Sequence, residues 1–193
     1  MVGGGPTLRD SLDKKQPARW QKGAAGEYVL YETLARELTN GERILPALSL
    51  PDGPRDIDCI VVASSGVWVL DAKYWRGRVK YGGKHLFDSG WHLLVGGVDH
   101  TEEVARIYQA VIPVAQIVAN PAVPVHRAWV FVYADWAAPH VLRILLRMKP
   151  LRHDGVWIGT AGSICRAIQK AGPVSREQIE ALSEQLRSSL GHR

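Results

Sequence analysis

The chain has 193 residues, 46% hydrophobic and 22% charged, with a formal net charge of +5, seven histidines and two cysteines. That balance excludes a disordered, collagenous or disulfide-stapled chain, and the length is enough to bury a core. The basic excess is mild, compatible with nucleic acid or another anionic partner and equally with a solvated surface.

Residues 1–20 are rich in Gly, Pro and charge and are expected to form a flexible lead-in, followed by a single domain over 21–193. The opening residues lack an apolar leader core and no run reaches membrane-span length, so no membrane partner and a cytoplasmic location are expected. In "GAAGEYVLYETLARELTNG", Leu30, Leu34 and Leu38 recur at helical spacing beside Tyr31 and Ala35, and Gly41 closes the helix after Asn40. "ERILPALSL" reads as a strand with an internal proline, hence an edge or bulged one. "PDGPR" is a turn, and "IDCIVVASSGVWVLDAK" reads as two strands joined by a tight turn.

From Gly77 to Gly97, "YGGK" and "DSG" signal small antiparallel hairpins. "TEEVARIYQAVIPVAQIVAN" is a helix with Thr101 as N-cap and two acids favouring its dipole, and Pro113 should kink or split it. "VHRAWVFVYAD" is a strong strand, "HVLRILLRMK" is ambiguous, "GVWIG" is a short strand, and "SICRAIQKAG" is a helix. In the last helix, "SREQIEALSEQLRSSL", Ser175 and Gln178 have capping-box spacing. The order of elements predicts an α/β fold, a mixed central sheet flanked by helices. "GTAGS" between strand and helix lacks the lysine of a P-loop and reads as a plain helix entry. The histidines show no metal-ligand spacing. The tryptophans read as core, with no particular one favoured as a base-stacking residue.

Burial alone does not explain the acids and lysine of the long hairpin. Asp71 and Lys73 are two apart on a strand and face the same way. Loops Ser64–Ser65 or Ser65–Gly66 both put Asp58 on the face of Asp71 and Lys73, opposite Asp71 in the first case and Lys73 in the second. A three-residue loop puts Asp58 on the other face, because register parity decides the face. Paired carboxylates in an apolar sheet need compensation, which a hard divalent cation supplies. The alternative places both acids at solvated strand ends, paired with Lys73 and Arg55. Glu27 shares the helix stripe of Leu30 and Leu34 and should point inward, unless it is an exposed first-turn acid.

"GAAGE" opening a helix, then "DIDCIVV", "GVWVLDAK" and "WRG", resembles the NERD, or nuclease-related, domain over about Gly23 to Ala119. That family is similar to the PD-(D/E)xK nuclease superfamily. The resemblance implies a restriction-endonuclease-like core of order αβββαβ and a metal-dependent nuclease, with Glu27, Asp58, Asp71, Lys73 and Gln109 as catalytic residues. One or two Mg²⁺ (or Mn²⁺) ions would be held by Asp58, Asp71 and the carbonyl of Ala72, with Glu27 helping through water or as a direct ligand. Lys73 would position the attacking water. Many family members carry Glu at the position of Asp71, and the Asn-Pro that often precedes the Gln is absent here. The implied partner is nucleic acid, DNA foremost. Arg76, Arg78 and Lys80 would hold backbone phosphates, or else form an ordinary solvated hairpin. A homodimer cutting both strands is compatible with this reading. The rival reading is a binding or interaction module that retains the fold without turnover.

Overall fold

The computed structural model describes residues 18–50, 56–82, 91–137 and 148–192. The expected lead-in up to residue 17, the turns over 51–55 and 83–90, and most of the ambiguous stretch after Pro139 lie outside the described residues. Helix α1 runs Ala18–Glu37. It begins earlier than expected: Ala18, Arg19, Gln21 and Lys22 are good helix formers, and Gly23 and Gly26 do not interrupt it. Residues 18–20 therefore belong to the helix rather than the lead-in. The strands that follow are β1 (Arg43–Ser49), β2 (Asp56–Ala63), β3 (Gly66–Lys73), β4 (Arg78–Gly82), β5 (His92–Val95) and β6 (Val98–Asp99). Helices α2 (Thr101–Arg106) and α3 (Tyr108–Val118) precede β7 (Val125–Phe131), β8 (Asp135–Trp136), β9 (Leu151–His153) and β10 (Val156–Thr160). Helices α4 (Ala161–Ile168) and α5 (Arg176–Ser189) and strand β11 (Gly191–His192) end the described chain.

The main sheet has seven strands in the order β11-β1-β2-β3-β7-β10-β9. The neighbours β1, β2 and β3 are antiparallel, while β3, β7 and β10 run parallel. The order α1-β1-β2-β3-α3-β7 is the expected αβββαβ core, with β4–β6 and α2 inserted before α3. The inserted strands and β8 form a second, four-stranded sheet, β6-β5-β4-β8. The expected hairpins are there; the parallel strand β8 and the short β9 were not foreseen.

Alternation along the strands sorts the core into layers. Ile60, Val62, Val67 and Val69 pack with Val111 and Val114 of α3 and Ile179 and Leu182 of α5. Cys59, Val61, Trp68 and Leu70 face the other way, against Leu30 and Leu34 of α1 and Ile164 and Ile168 of α4. The second sheet covers Trp129 and Phe131 of β7 with Val79, Leu93 and Val95. This layering explains where the central helix breaks. It divides at Ile107 and not at Pro113, which lies inside α3. Ile107 is buried in the second-sheet layer, whereas Val111, Val114 and Val118 belong to the main-sheet layer. Thr101 does not take the expected N-cap role: its hydroxyl accepts from the Leu93 amide (3.0 Å), and its own amide donates to Asp99 Oδ1 (3.0 Å). The Ser175–Gln178 capping box is formed in both directions, and Thr160 caps α4 in the plain helix entry of "GTAGS".

Pro46 does not make β1 an edge strand, since β1 lies between β11 and β2. Its register against β2 is the same on both sides of Ala47, Pro46 pairing Cys59 and Leu48 pairing Ile57, so no residue is inserted. The irregularity is local: Ala47 takes a left-handed φ of 51° at the position facing Asp58.

Candidate active site

The β2–β3 turn is the two-residue Ser64–Ser65 loop, with Ala63 paired to Gly66 and Cys59 to Leu70. Carrying that register one step further sets Asp58 opposite Asp71. Both acids and Lys73 thus share the face of Ile60, Val62, Val67 and Val69. The turn is held from three sides. Ser65 Oγ donates to the carbonyl of Ile168 (2.6 Å) and accepts from the Trp68 indole (2.9 Å). Ser64 Oγ donates to the Lys170 carbonyl (3.2 Å), while the Ser64 carbonyl accepts from Val174 (3.0 Å). On the third side His126 Nε2 donates to the Ser65 carbonyl at 3.1 Å.

His126 makes this clamp sensitive to acid. Burial, and then the nearby Arg152 charge, hold its imidazole below the ordinary histidine range, against the opposing hydrogen bond to Ser65. Protonation therefore disfavours the fold. The stability that neutral His126 contributes is intact above the unfolded value of about 6.5 and is lost as pH falls below it toward the depressed folded value. His126→Gln removes that titration and keeps a donor. The difference in Tm, variant minus wild type, is expected to rise by about 2–4 °C between pH 7.5 and pH 5. A constant difference would exclude His126 as the titrating group.

At the other end of the hairpin the charged groups meet. Asp58 Oδ2 accepts from the Ala72 amide at 2.7 Å. Lys73 Nζ lies 2.8 Å from Asp71 Oδ2, their side chains 20% and 31% exposed. The same ammonium sits 4.7 Å from the Trp129 ring centroid and 5.7 Å from that of Trp75. The Asp58 carboxyl is pushed well above the ordinary carboxylate range, first by burial and then by the charges of Asp71 and Glu27. The Ala72 amide and Lys73 only partly offset this. Burial raises Asp71 as well, opposed by Lys73 and by the Trp129 indole, with Glu103 adding to the rise. The indole N–H affects Asp71 through proximity, since it makes no hydrogen bond of ordinary geometry.

Glu27 is half-buried on α1. Because the helix starts nine residues earlier, it is not a first-turn acid. The neighbouring Gly26 abuts Tyr74, the residue after Lys73: a Cβ there would lie 3.2 Å from Tyr74 Cβ. Helix α1 packs on the opposite face of the sheet, and Glu27 reaches the group at the strand ends, where Asp58 feels its charge. Gln109 lies in the first turn of α3, the helix packed on the face of Asp58 and Asp71, and its side chain lies outside the described part of the structure. Arg76, Arg78 and Lys80 are exposed beyond the site. Arg78 and Lys80 flank buried Val79 on one side of β4, and Arg78 is 3.6 Å from Asp135.

Glu103 was missed. Its charge reaches Asp71, and its carboxylate pairs with His100 Nδ1 at 2.9 Å. The pair of acids in "TEEVAR" reads as helix-dipole support; the His100-x-x-Glu103 spacing was the available signal. Cys59 and Cys165 are free and buried, and burial pushes Cys165 up to about 12 and Cys59 up as well. Neither thiol has the thiolate character of a nucleophile at neutral pH.

The donor chemistry fits a hard dication. Two carboxylates raised first by burial and then by neighbouring carboxylates, Asp71 and Glu27 on Asp58 and Glu103 on Asp71, are oxygen ligands whose charge an ion would neutralise, and Mg²⁺ commonly takes one or two carboxylates and keeps waters. Among the described residues, no group of three or more His, Cys, Asp or Glu side chains is placed to hold a metal ion. Remaining positions would fall to water and to a substrate phosphate.

A mixed α/β sheet flanked by helices, with acids and a lysine gathered at the end of its central hairpin, is a nuclease-like core. The chain belongs to the nuclease-related domain family, whose model matches residues 22–132, more than half its length. The match covers Glu27, Asp58, Asp71, Lys73 and Gln109 and stops before α4 and α5. No curated protein and no solved structure matches the chain significantly. Among the described residues no helix is long and apolar enough to cross a membrane.

Proposed function

We propose that the chain is a metal-dependent nuclease that hydrolyses phosphodiester bonds in DNA. The observation that carries this reading is the placement of Asp58, Asp71 and Lys73 on one sheet face at the strand ends, with Glu27 close enough to act on Asp58. Asp58 and Asp71 would hold Mg²⁺ or Mn²⁺, with Glu27 contributing directly or through water. When bound, the ion supplies a Lewis acid for the scissile phosphate and lowers the pKa of a water. Lys73, oriented by Asp71, would position the attacking water and offset charge developing on the phosphate oxygens. Gln109, in the first turn of α3, is the further catalytic residue that the family resemblance adds to this set. The exposed cations Arg76, Arg78 and Lys80 would engage backbone phosphates and locate the strand without reading its sequence.

The test is cleavage of plasmid and linear DNA by the purified protein with Mg²⁺, Mn²⁺ or EDTA. Nicked or shortened products are expected with either metal and not with EDTA. Binding without cleavage under every metal would replace the enzyme with a nucleic-acid-binding module.

A further inference from the structure

An open cavity of about 580 Å³ lies just beyond the acid–lysine group, lined by Tyr74, Trp75, Arg76, Gly96, Val98 and His100. Its volume is within the range of about 300–1,000 Å³ usual for ligand sites. Its lining joins the rings of Tyr74, Trp75 and His100 and the Arg76 guanidinium to the apolar Val95 and Val98, a combination that a dication centre does not require.

Its position is set by the strands. Tyr74 directly follows Lys73, and Tyr133 stands two residues beyond Phe131, the parallel-sheet partner of Lys73. Both therefore leave the carboxyl ends of β3 and β7, the side of a parallel sheet where ligands enter. The two rings meet edge to face, centroids 4.6 Å apart at 65°. Arg76 sits 5.8 Å from each ring, and its Nη2 donates to the Tyr74 hydroxyl at 3.3 Å. Trp75 is already used: His100 stacks on it at 3.7 Å and Trp129 meets its ring at 5.2 Å. Tyr133 stands beside the cavity rather than in its lining, joined to it through Tyr74, and is 45% exposed, so this corner offers aromatic surface to a partner.

We propose that the Tyr74–Tyr133–Arg76 corner is a nucleobase-stacking subsite, taking an unpaired base of a single strand whose backbone runs to Lys73. The substrate class is then single-stranded nucleic acid or an unpaired end. A base inside a duplex has both faces covered by its neighbours, whereas a single strand presents a free π-face to an aromatic ring and a phosphate to Arg76. This rests on the nuclease reading for the word substrate, and the experiment separates the two.

Fluorescence anisotropy in EDTA would compare a labelled single-stranded adenine oligonucleotide, the same strand with abasic sites, and a blunt duplex. Wild type is expected to bind the base-bearing strand tightest. Tyr133→Ala should weaken that binding about 5- to 150-fold, the range for losing one stacked base. Tyr133→Phe should keep it, and the abasic strand should bind wild type weakly. Equal binding of base-bearing and abasic strands, or no effect of Tyr133→Ala, overturns the subsite. So does competition by adenosine monophosphate at the oligonucleotide's own concentration, which would mark a free-nucleotide pocket. Strand preference lost with Tyr133→Ala but no cleavage under any metal would keep the subsite and remove the nuclease. Asp71-dependent cleavage indifferent to Tyr133→Ala would do the reverse.

Discussion

Asp71→Asn is expected to reduce metal-dependent cleavage by about 10²–10³-fold or more while leaving the protein folded. The amide keeps the shape of the carboxyl and gives up the charge that faces Lys73 at 2.8 Å. Because burial raises the Asp71 pKa in the folded protein, ionised Asp71 disfavours the fold, and the neutral variant should melt no lower than wild type in EDTA. Lys73→Ala should cost activity on the same scale, since it removes the main group holding the Asp71 carboxylate down. The double variant should be little worse than either single one, as for groups that act as a unit. Single-turnover cleavage at saturating metal measures all three. An Asp71→Asn protein that keeps more than about a tenth of wild-type turnover would place the chemistry elsewhere.

Gly66→Ala is expected to be the most damaging small substitution in the hairpin. Gly66 has φ of +130°, and a Cβ there would lie 2.3 Å from the Pro124 carbonyl oxygen. That carbonyl cannot withdraw freely, because it accepts from the Val67 amide at 2.9 Å. Backbone strain of about 1–3 kcal/mol combines with the clash, so a loss of about 3 kcal/mol or more is expected, or about 6–12 °C in Tm. Gly82 is the internal control: its φ is +138°, yet nothing lies within 4 Å of a Cβ placed there. Gly82→Ala therefore carries backbone strain alone and should lower Tm much less. Equal losses in the two variants would show that contact with Pro124 is unimportant and that strain explains both.

The mixed α/β class, the hairpin and the stripe of α1 were legible because each rests on local periodicity, whereas the αβββαβ core order came with the family resemblance. The parity of the Ser64–Ser65 turn was not, because Ser-Ser is a weak turn pair and its partners are remote. Pro124, His126, Ile168, Lys170 and Val174 hold it, and a Cβ on Gly172 would approach Ser64 O to 2.3 Å. Turn chemistry alone left two two-residue loops and a three-residue loop of opposite parity open, and tertiary contacts choose among them. Pro113 does not split the helix for a related reason: the helix divides where its residues change layer, at Ile107. Glu103 escaped because an acid in a first turn already has a sufficient local explanation. Ala47 carries no sequence signal, since its left-handed conformation is unusual for alanine.

The clamp on the Ser64–Ser65 turn bears on how the molecule can be divided. Every proposed catalytic group lies within the matched segment 22–132, yet three of the groups that grip the turn, Ile168, Lys170 and Val174, come after it. So do Ile164 and Ile168 beneath α1, and Ile179, Leu182 and Leu186 beneath the opposite face. A fragment cut at Val132 would hold every proposed catalytic group and little of what aligns them, an inventory of parts without the jig. The C-terminal helices, remote from the acids, thus act as the assembly tool for the hairpin, and losing them should silence the centre without touching one of its residues.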